Sequence, residues 1–567
     1  MRWLPLKTFA CLLCFSLLYI DPVGLSQVAS TSYKIESQTL DEQGVTHIQV
    51  KNALINYDFS TVGGTLQSAY LYFAPWGSSR EEMIPGTTTD QKSLKRTYTP
   101  GQVYPFQLSL GLLKPTDVYQ SRIIPSADGS QLQVEFTHEA DGLKVTKLYT
   151  IHNDATGTID FALTLQNLSP SGKKFDDGYK LALGTGVHKM DEKAEARFFF
   201  DGQRTSAIVQ NGKLEGLGFV SGFALWLITQ PTDSLKPYQE PLQLNVSTQQ
   251  GILQVSKTAL GVQSAPITLA PSQTMIHNFR LYTGRVKYTL LELVKLQHIA
   301  DMSWWDQLLV PVANFLNWLF GFTGNYAWAI LLFTLLTRIL LFPLTRAQYH
   351  SMAKMTQLQP RLQKLQQRYP NLNQLKASYP KMSELELKQR AMENRQEMTQ
   401  KMMEMYKKEG VNPLGGCLPM VIQFPILIVL WQAITYTAEQ IHLTPGFLWL
   451  PDLSLADPLY IIVLLTVAAM IVQTKMTPTP GAQQNQLLTW VMPIMMGVML
   501  KDFASGLWIY YFSSTVAQVG QQMFISWELK REAARKPAPA LAEDDDALTN
   551  KPVAQEAQVS DGNRSQN

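Results

Sequence analysis

One apolar run in the second half of the chain, from Tyr326 to Leu344, contains a single charged residue, Arg338. About 20 helical residues at a rise of about 1.5 Å each match the roughly 30 Å hydrocarbon core of a bilayer, so this run is predicted to be a transmembrane helix. An arginine near the centre of such a helix costs about 2.5 kcal/mol or more to insert. Charged residues at this depth generally face a bundle interior or a water-filled cavity.

Two placements of the Arg338 side chain are compatible with this helix. Arg338 lies about 9 Å before Leu344 by helical rise, so its long side chain could extend to the cytoplasmic head groups. However, Thr334, Thr337 and Thr345 fall on the same side of the helix as the arginine, and large apolar residues fill the rest. This pattern favours an inward-facing Arg338 that is accessible to water.

The chain begins with a short apolar segment, Thr8 to Ile20, which follows Arg2 and Lys7 and is ended by Pro22. A cleaved signal peptide and an uncleaved anchor with its basic end in the cytoplasm both fit this segment. In either case the residues that follow are exported.

Residues 23–298 alternate apolar and polar positions in short runs. Gln131 to His138 and Leu143 to Ile151 are two such runs, and Asp141-Gly142 between them is a hairpin signal. Runs of this kind recur over about 270 residues, which predicts a large antiparallel β-sandwich. No cysteine lies between residues 21 and 300, so this domain must be stable without disulfides.

Motifs of nucleotide-driven or metal-dependent enzymes are missing from the sequence. It contains no G-x-x-x-x-G-K-[ST], H-E-x-x-H or G-x-S-x-G motif and no zinc-spaced Cys/His cluster. The histidines of the sandwich, such as His138 and His152, lack the spacing of metal ligands, and Cys11 and Cys14 lie inside an apolar run. We therefore predict a protein that is not an enzyme and that uses no cofactor and no metal.

The segments around the Arg338 helix indicate how it is placed in the membrane. Asp301 to Leu319 is amphipathic and begins with Trp304 and Trp305, which predicts a helix lying flat at the interface. Thr345 to Glu409 carries 13 Lys and Arg against 6 Glu, which places it in the cytoplasm. Its two flanks have apolar residues close to a 3.5 repeat, and they predict an antiparallel helical hairpin.

Four further apolar segments follow, and a connection without Lys or Arg between the first two of them is placed outside. The run from Leu487 to Leu500 is only about 21 Å long as a helix, so the bilayer is expected to thin beside it. Four methionines stack on one side of this run: Met492, Met495, Met496 and Met499. They could form an adaptable apolar surface, although ordinary packing explains methionines equally well.

Polar residues within the later spans form a second set beside Arg338. Gln423 lies in the first of these spans, and Tyr511, Thr515, Gln518 and Gln522 share one face of the last. Each could simply bond a neighbouring helix. Together with an arginine, they favour a hydrated groove.

Several stretches resemble the YidC-type membrane protein insertases: TLLTRILLFPLT (Thr334 to Thr345), KKEGVNPLGGCLPMVIQFPI (Lys407 to Ile426), FLWLPDLSLADPLY (Phe447 to Tyr460) and FASGLWIYYF (Phe503 to Phe512). The resemblance covers about residues 300–527. The exported domain resembles the periplasmic sandwich of the Gram-negative members more loosely, for instance at Leu281 to Gly284.

This resemblance implies a five-helix insertase core, an uncleaved first span and a groove open to the cytosol and to lipid. It assigns the groove arginine to Arg338, and it places Thr334, Gln423, Trp508 and Tyr511 at groove or substrate-contacting positions. The implied partners are nascent membrane proteins, the lipid bilayer, the Sec translocon and the ribosome, with no nucleotide. The sequence departs from the family pattern between residues 359 and 412, where the hairpin is longer by the stretch NLNQLKASYPKMSELELKQ.

The predicted fold is a polytopic α-helical membrane protein, with one N-terminal span plus a five-helix insertase core, a large extracytoplasmic antiparallel β-sandwich and a cytoplasmic helical hairpin. The segments are an anchor at 1–22, the sandwich at 23–298, the interfacial helix at 299–321, spans at 322–345, 412–436, 457–475, 487–501 and 503–527, the hairpin at 346–411 and a disordered tail at 528–567. Both termini are predicted to be cytoplasmic, in the bacterial inner membrane.

The predicted function is insertion and folding of nascent membrane proteins, alone or with the Sec translocon. The Arg338 groove would receive polar segments, and the methionine surface would release apolar ones. A channel or transporter with Arg338 as its pore charge is the alternative. A carbohydrate-active sandwich on a membrane stalk is a third possibility.

Overall fold

The computed structural model describes residues 35–535, apart from residues 43–44, 76–77, 91, 189–193, 210–211, 230–234, 249–250, 302, 411–417 and 477–485. The predicted anchor at 1–22 and most of the predicted tail lie outside these residues. The chain divides into two units. The first contains Met1–Thr337, Met420–Met470 and Trp490–Ser514, and the second contains Arg338–Pro419, Ile471–Thr489 and Thr515–Asn567.

Antiparallel strands make up most of the first unit. The strands are β1 (Glu36–Glu42), β2 (Val45–Lys51), β3 (Ile55–Ser60), β4 (Thr65–Leu71), β5 (Glu81–Glu82), β6 (Thr87–Thr89), β7 (Arg96–Tyr98), β8 (Leu108–Ser109), β9 (Gln120–Pro125), β10 (Gln131–Ala140), β11 (Leu143–His152), β12 (Thr158–Asn167), β13 (Lys173–Phe175), β14 (Lys180–Gly184), β15 (Glu195–Phe200), β16 (Gln203–Thr205), β17 (Leu214–Val220), β18 (Phe223–Thr229), β19 (Leu235–Thr248), β20 (Gly251–Ser264), β21 (Ile267–Leu269) and β22 (Thr274–Arg285).

These strands form the predicted sandwich. A five-stranded sheet runs β1-β2-β3-β4-β5, a nine-stranded sheet runs β16-β15-β17-β18-β22-β12-β11-β10-β9, and a four-stranded sheet runs β19-β20-β14-β8. Two small pairs, β13-β21 and β6-β7, complete the set. Aromatic side chains join the sheets: the Phe59 and Tyr149 rings lie 4.8 Å apart, and the Phe106 and Phe161 rings 4.2 Å. The prediction of a large antiparallel sheet domain is therefore confirmed.

The predicted hairpin between β10 and β11 is also present. Its two turn residues, Asp141 and Gly142, have φ of 49° and 66°, the left-handed region that a two-residue hairpin turn requires. Alternate residues of β11 point inward and are buried. One of these inward positions is occupied by a charged residue, Lys147, which is completely buried.

Helices follow the sandwich. They are α1 (Tyr288–Leu293), α2 (Trp304–Thr323), α3 (Tyr326–Arg368), α4 (Leu372–Ser378), α5 (Glu384–Lys408), α6 (Leu418–Tyr436), α7 (Ala438–His442), α8 (Ile461–Met476), α9 (Gln486–Leu500) and α10 (Ser505–Arg535). The amphipathic α2 begins at a capping box made by Ser303 and Asp306, and it ends at Gly324, which adopts a φ of 66°.

By length and composition, α3 is the one described helix long and apolar enough to cross a membrane. Shorter apolar stretches occur at Gln423–Tyr436, Ile461–Met476 and Trp490–Leu500. The number of spans, and which side of the membrane each connection occupies, therefore remain predictions.

The predicted helical hairpin is formed by α3 and α5 in the second unit. Apolar side chains from the two helices make a common buried cluster, with Met355, Leu358 and Leu362 on α3 and Met402 and Tyr406 on α5. The predicted boundary at residue 345 is not a helix end, because α3 continues unbroken to Arg368. Residues after 345 are rich in strong helix formers such as Ala, Gln, Met and Lys, which explains the continuation.

The predicted disorder after Trp527 is wrong for the first part of the tail, because α10 runs to Arg535. These residues include Glu, Lys, Arg and Ala, which favour a helix. Glu528 also forms an ion pair with Arg346 of α3 within the second unit. Residues 536–567 lie outside the described part of the chain.

Candidate functional site

Thr334 joins α3 to α10 in the first unit. Its hydroxyl donates to the Ile330 carbonyl over 2.7 Å and lies 3.3 Å from the hydroxyl of Ser513. Thr334 is almost fully buried, whereas its neighbour Leu335 is 53% exposed. The polar side of α3 is thus the side that faces other helices.

Gln423 joins α6 to α10. Its Nε2 donates a hydrogen bond to the Tyr510 hydroxyl over 3.1 Å, and Tyr510 is buried. A polar side chain of α6 is therefore joined to a polar side chain of α10.

Trp508 and Tyr511 face α9. The indole Nε1 of Trp508 donates to the Leu500 carbonyl over 3.1 Å, and the Tyr511 hydroxyl donates to the Met496 sulfur over 3.7 Å. The two rings are 6.4 Å apart. Both residues thus connect α10 to the methionine-bearing helix.

The methionines of α9 divide into two groups. Met492, Met495 and Met499 are exposed, with Met499 at 70%, whereas Met496 is half-buried against Tyr511. On another side of α9, Gly497 lies against α8, because a Cβ added there would come within 2.6 Å of Val467 Cγ2. The exposed face of α9 is therefore apolar and rich in methionine.

Arg338 belongs to the second unit. It is 8% exposed, while the next residue, Ile339, is 61% exposed, so the arginine is on the buried side of α3. Its backbone carbonyl accepts a hydrogen bond from Gln521 Nε2 of α10 over 3.0 Å. The position of this residue on the helix fits the inward-facing placement rather than one among lipid tails.

Tyr510, Ser513 and Gln521 were absent from the predicted set. They fall at i, i+3 and i+11 on α10 and border the face that carries Tyr511 and Gln518. The signal was present in the sequence, since a wider polar face of this helix includes all of these positions. The sequence alone does not show how α10 is rotated about its axis.

The sandwich contains a cavity of about 810 Å³ on the nine-stranded sheet, lined in part by Trp226, Asp160 and Arg280. Partial burial would raise the pKa of Asp160, but hydrogen bonds from His152 and Arg280 hold it at about 2. Asp160 therefore lies in an ion cluster with His152 and Arg280, which favours its ionised form. Among the residues that the structure describes, no group of three or more His, Cys, Asp or Glu could hold a metal ion.

A family model described as 60Kd inner membrane protein matches residues 318–385 and 371–532. The membrane protein insertase YidC of Bordetella pertussis is 30% identical over 431 residues, which cover 72% of this chain and 70% of that protein. The protein of the same name from Methylobacillus flagellatus is 28% identical over 528 residues, covering 88% and 87%.

Two solved structures are also similar. The crystal structure of an active YidC insertase with its first transmembrane domain resolved covers 91% of this chain and 98% of its own, at 19% identity and a TM-score of 0.45. The YidC structure from Thermotoga maritima covers 86% and 98%, at 16% identity and a TM-score of 0.38.

The sequence relatives establish the family independently of these structures. They are named as insertases and not as enzymes, which supports a non-enzymatic role. The family description also confirms a location in the inner membrane. The chain is therefore a member of the YidC family of membrane protein insertases.

Proposed function

We propose that this chain inserts nascent membrane proteins through a hydrophilic groove made by the polar sides of α3, α6 and α10, with Arg338 as the groove charge. The observation that carries the proposal is the burial of Thr334 and Arg338 on one side of an otherwise lipid-compatible helix. The hydrogen bond between Gln423 and Tyr510 adds polar groups from two other helices.

The groove lowers the free-energy barrier to moving a polar segment across the membrane, and it performs no chemical reaction. A polar or acidic flank of a client must cross about 30 Å of hydrocarbon, where an isolated charge costs several kcal/mol. A buried arginine with hydrated polar neighbours provides an opposite charge part of the way across. The membrane potential adds about 2.3 kcal/mol per 100 mV for each acidic charge moved outward.

Release into lipid is assigned to α9. Its exposed methionines, Met492, Met495 and Met499, offer a flexible apolar surface that can adapt to many apolar segments. Because α9 has only 15 residues, about 22 Å, the bilayer beside it is thinner than average. Burial of a client's apolar residues in lipid drives this step.

The topology belongs to the same proposal. Residues 23–298 are periplasmic, residues 346–411 are cytoplasmic and both termini are cytoplasmic, because basic residues concentrate in the hairpin. The Sec translocon and the ribosome are proposed partners. The alternative of a channel is disfavoured by the outer end of α3, where Tyr326, Ala327 and Ile330 are fully buried in an apolar cluster.

Photo-crosslinking to stalled nascent chains tests the groove. A photoreactive residue at position 423 is expected to crosslink to the polar flank of a membrane-protein client. The neighbouring position 424 serves as control, because Phe424 is 49% exposed on another side of α6. Equal crosslinking of the flank from both positions would contradict the proposed groove.

A further inference from the structure

Three charged side chains of the first unit meet where the sandwich leads into the helices. Arg285 ends β22, Lys287 precedes α1, and Glu439 lies in α7, directly after α6. Arg285 Nη1 is 3.1 Å from Glu439 Oε1, and Lys287 Nζ is 2.8 Å from Glu439 Oε2. The side chains are 8%, 12% and 2% exposed respectively, so the cluster is an interior one.

Further contacts attach the end of α6 to the sandwich. Lys287 Nζ also donates to the Thr435 carbonyl over 2.9 Å, and the Tyr288 amide donates to the Tyr436 hydroxyl over 2.7 Å. Ala438 of α7 belongs to the buried apolar cluster of the sandwich. The junction therefore combines ion pairs, backbone hydrogen bonds and apolar packing.

A second contact involves His442, three residues after Glu439 in α7. The Phe73 ring, in the segment after β4, stacks on the His442 ring at 4.0 Å. Arg285 itself donates to the Phe73 carbonyl and, over 2.8 Å, to the Ser79 carbonyl. Two separate parts of the sandwich thus hold α7.

The connection after α7 extends these contacts to α10. His442 Nδ1 lies 2.6 Å from Asp452 Oδ2. The Ser505 hydroxyl at the start of α10 donates to the Asp452 carbonyl over 3.1 Å, and the Gly506 amide donates to the Leu453 carbonyl over 2.9 Å. The C-terminal end of α6 and the N-terminal end of α10 are therefore linked through the connection that follows α7.

Ion pairs are not the only interactions that could join α7 to the sandwich. Apolar side chains of the same volume often stabilise a protein equally well, whereas removal of one partner leaves a buried charge without compensation. Here a single carboxylate balances two cations. Burial of the Glu439 carboxyl would raise its pKa, but Lys287 and Arg285 outweigh that effect and hold the pKa below its usual value. Glu439 is therefore ionised and indispensable to the cluster.

We propose that Glu439 is a positioning residue for insertion: it fixes α7 to the sandwich, and it thereby holds the outer ends of α6 and α10 together. This inference rests on the proposed groove, because these are the helices that carry Gln423 and Tyr510. The sandwich acts as a brace that keeps the outer side of the helices closed.

Thiol labelling in the full chain tests this role. Ala433 of α6 is fully buried near the junction, so an Ala433→Cys substitution reports opening. The three native cysteines, Cys11, Cys14 and Cys417, are replaced by serine. A membrane-impermeant maleimide is then added from the outer side of the membrane, and insertion of a client is measured in parallel.

With Glu439→Gln, the Ala433→Cys thiol is expected to react several-fold faster and insertion to fall several-fold. Glu439→Asp retains the charge and is expected to stay close to the parent. The matched control is Glu240→Gln, which removes the carboxylate of an exposed ion pair with Lys180 in the same sandwich and is expected to change neither readout. Parental labelling and insertion in Glu439→Gln would overturn the inference.

A double variant separates loss of charge balance from loss of folding. Lys287→Met combined with Glu439→Gln removes one positive and one negative charge, and it leaves Arg285 with its carbonyl acceptors. Labelling is expected to return toward the parental rate. A double variant as reactive as Glu439→Gln alone would show that charge balance is not the basis of the junction.

Different results would contradict the groove proposal and the brace proposal. Parental labelling in Glu439→Gln defeats the brace even where Arg338→Ala lowers insertion. Full insertion by Arg338→Ala defeats the groove even where Glu439→Gln opens the junction.

Discussion

Gln423 of α6 donates a hydrogen bond to the hydroxyl of Tyr510 of α10 over 3.1 Å. The pair lies beside a buried apolar cluster that includes Phe333 and Leu427. Hydrogen bonds between membrane helices contribute about 0.6–2 kcal/mol. This bond is therefore a measurable part of the packing between the two helices.

Tyr510→Phe is expected to lower the stability of the detergent-solubilised protein by about 1 kcal/mol, because the hydrogen bond between Gln423 Nε2 and the tyrosine hydroxyl is lost. Thermal unfolding measures the change. Tyr511→Phe is the matched control: its hydroxyl donates to the Met496 sulfur, a weak acceptor, over 3.7 Å, so its removal should have a smaller effect. Equal destabilisation by the two substitutions would show that the hydrogen bond from Gln423 contributes no more to stability than the contact between Tyr511 and Met496.

Arg338→Ala is expected to reduce insertion of clients with acidic flanks by about tenfold. A hydrogen bond to a charged group contributes about 1.5–3 kcal/mol, and about 1.4 kcal/mol corresponds to a factor of ten. Arg338→Lys keeps the charge and should retain most of the activity. The protease-protected fraction of client in reconstituted vesicles measures insertion.

A client with a neutral flank is the control for Arg338, and its insertion should change much less. If Arg338→Ala inserts clients with acidic flanks as well as the wild type does, the charge of Arg338 plays no part in insertion. A similar loss for both clients would assign Arg338 a structural role in place of an electrostatic one.

The fold class could be read from the sequence because its signals are local. Alternating residues and the Asp141-Gly142 turn predict β10 and β11, and the apolar run after Tyr326 predicts the start of α3. The second span was predicted to end at residue 345 because hydrophobicity ends there, whereas the helix itself continues to Arg368. A helix that leaves the bilayer continues as long as its residues favour helix, which hydropathy does not report.

The site was predicted only in part, because its contacts depend on helix rotation and on distant residues. The spacing on α10 indicated a polar face but not the hydrogen bond between Tyr510 and Gln423. The cluster of Arg285 and Glu439 joins residues that are 154 positions apart, and no local pattern marks it. Sequence periodicity identifies faces, and tertiary packing decides which residues of a face meet.

Lys147 predicts a pH dependence of the sandwich. It is fully buried, its ammonium donates to the Gly63 and Phe106 carbonyls over 2.6 Å each, and burial lowers its pKa from 10.5 to about 7. Between about pH 7 and pH 10.5 the unfolded chain binds this proton and the folded chain does not. The free energy of unfolding should therefore rise with pH across this window, by at most about 1.4 kcal/mol per pH unit. Below about pH 7 the contribution of Lys147 should not change with pH.

Denaturant unfolding followed from pH 6 to pH 9 measures this dependence, with Lys147→Met as the reference. The substitution removes the titrating group, so the difference in stability between the two chains should change with pH above about pH 7 and be constant below it. A constant difference over the whole range would mean that the lysine keeps an ordinary pKa in the folded protein.

Gly497 and Gly520 provide a pair of substitutions with opposite expected signs. Both lie inside helices, where Gly→Ala normally stabilises by about 0.5–1 kcal/mol. A Cβ at Gly520 meets nothing within 4 Å, so Gly520→Ala should follow that rule. A Cβ at Gly497 comes within 2.6 Å of Val467 Cγ2, and valine is stiff in a helix, so α8 and α9 must separate.

Gly497→Ala is therefore expected to destabilise the protein by about 1 kcal/mol after the helix gain is subtracted, as measured by thermal unfolding in detergent. Restoring the space with Val467→Ala in the same chain should recover part of the loss, because the clash involves a single methyl group. Stabilisation by Gly497→Ala alone would show that α9 can shift on α8 without cost. In that case the glycine would not determine how closely the methionine-bearing helix packs.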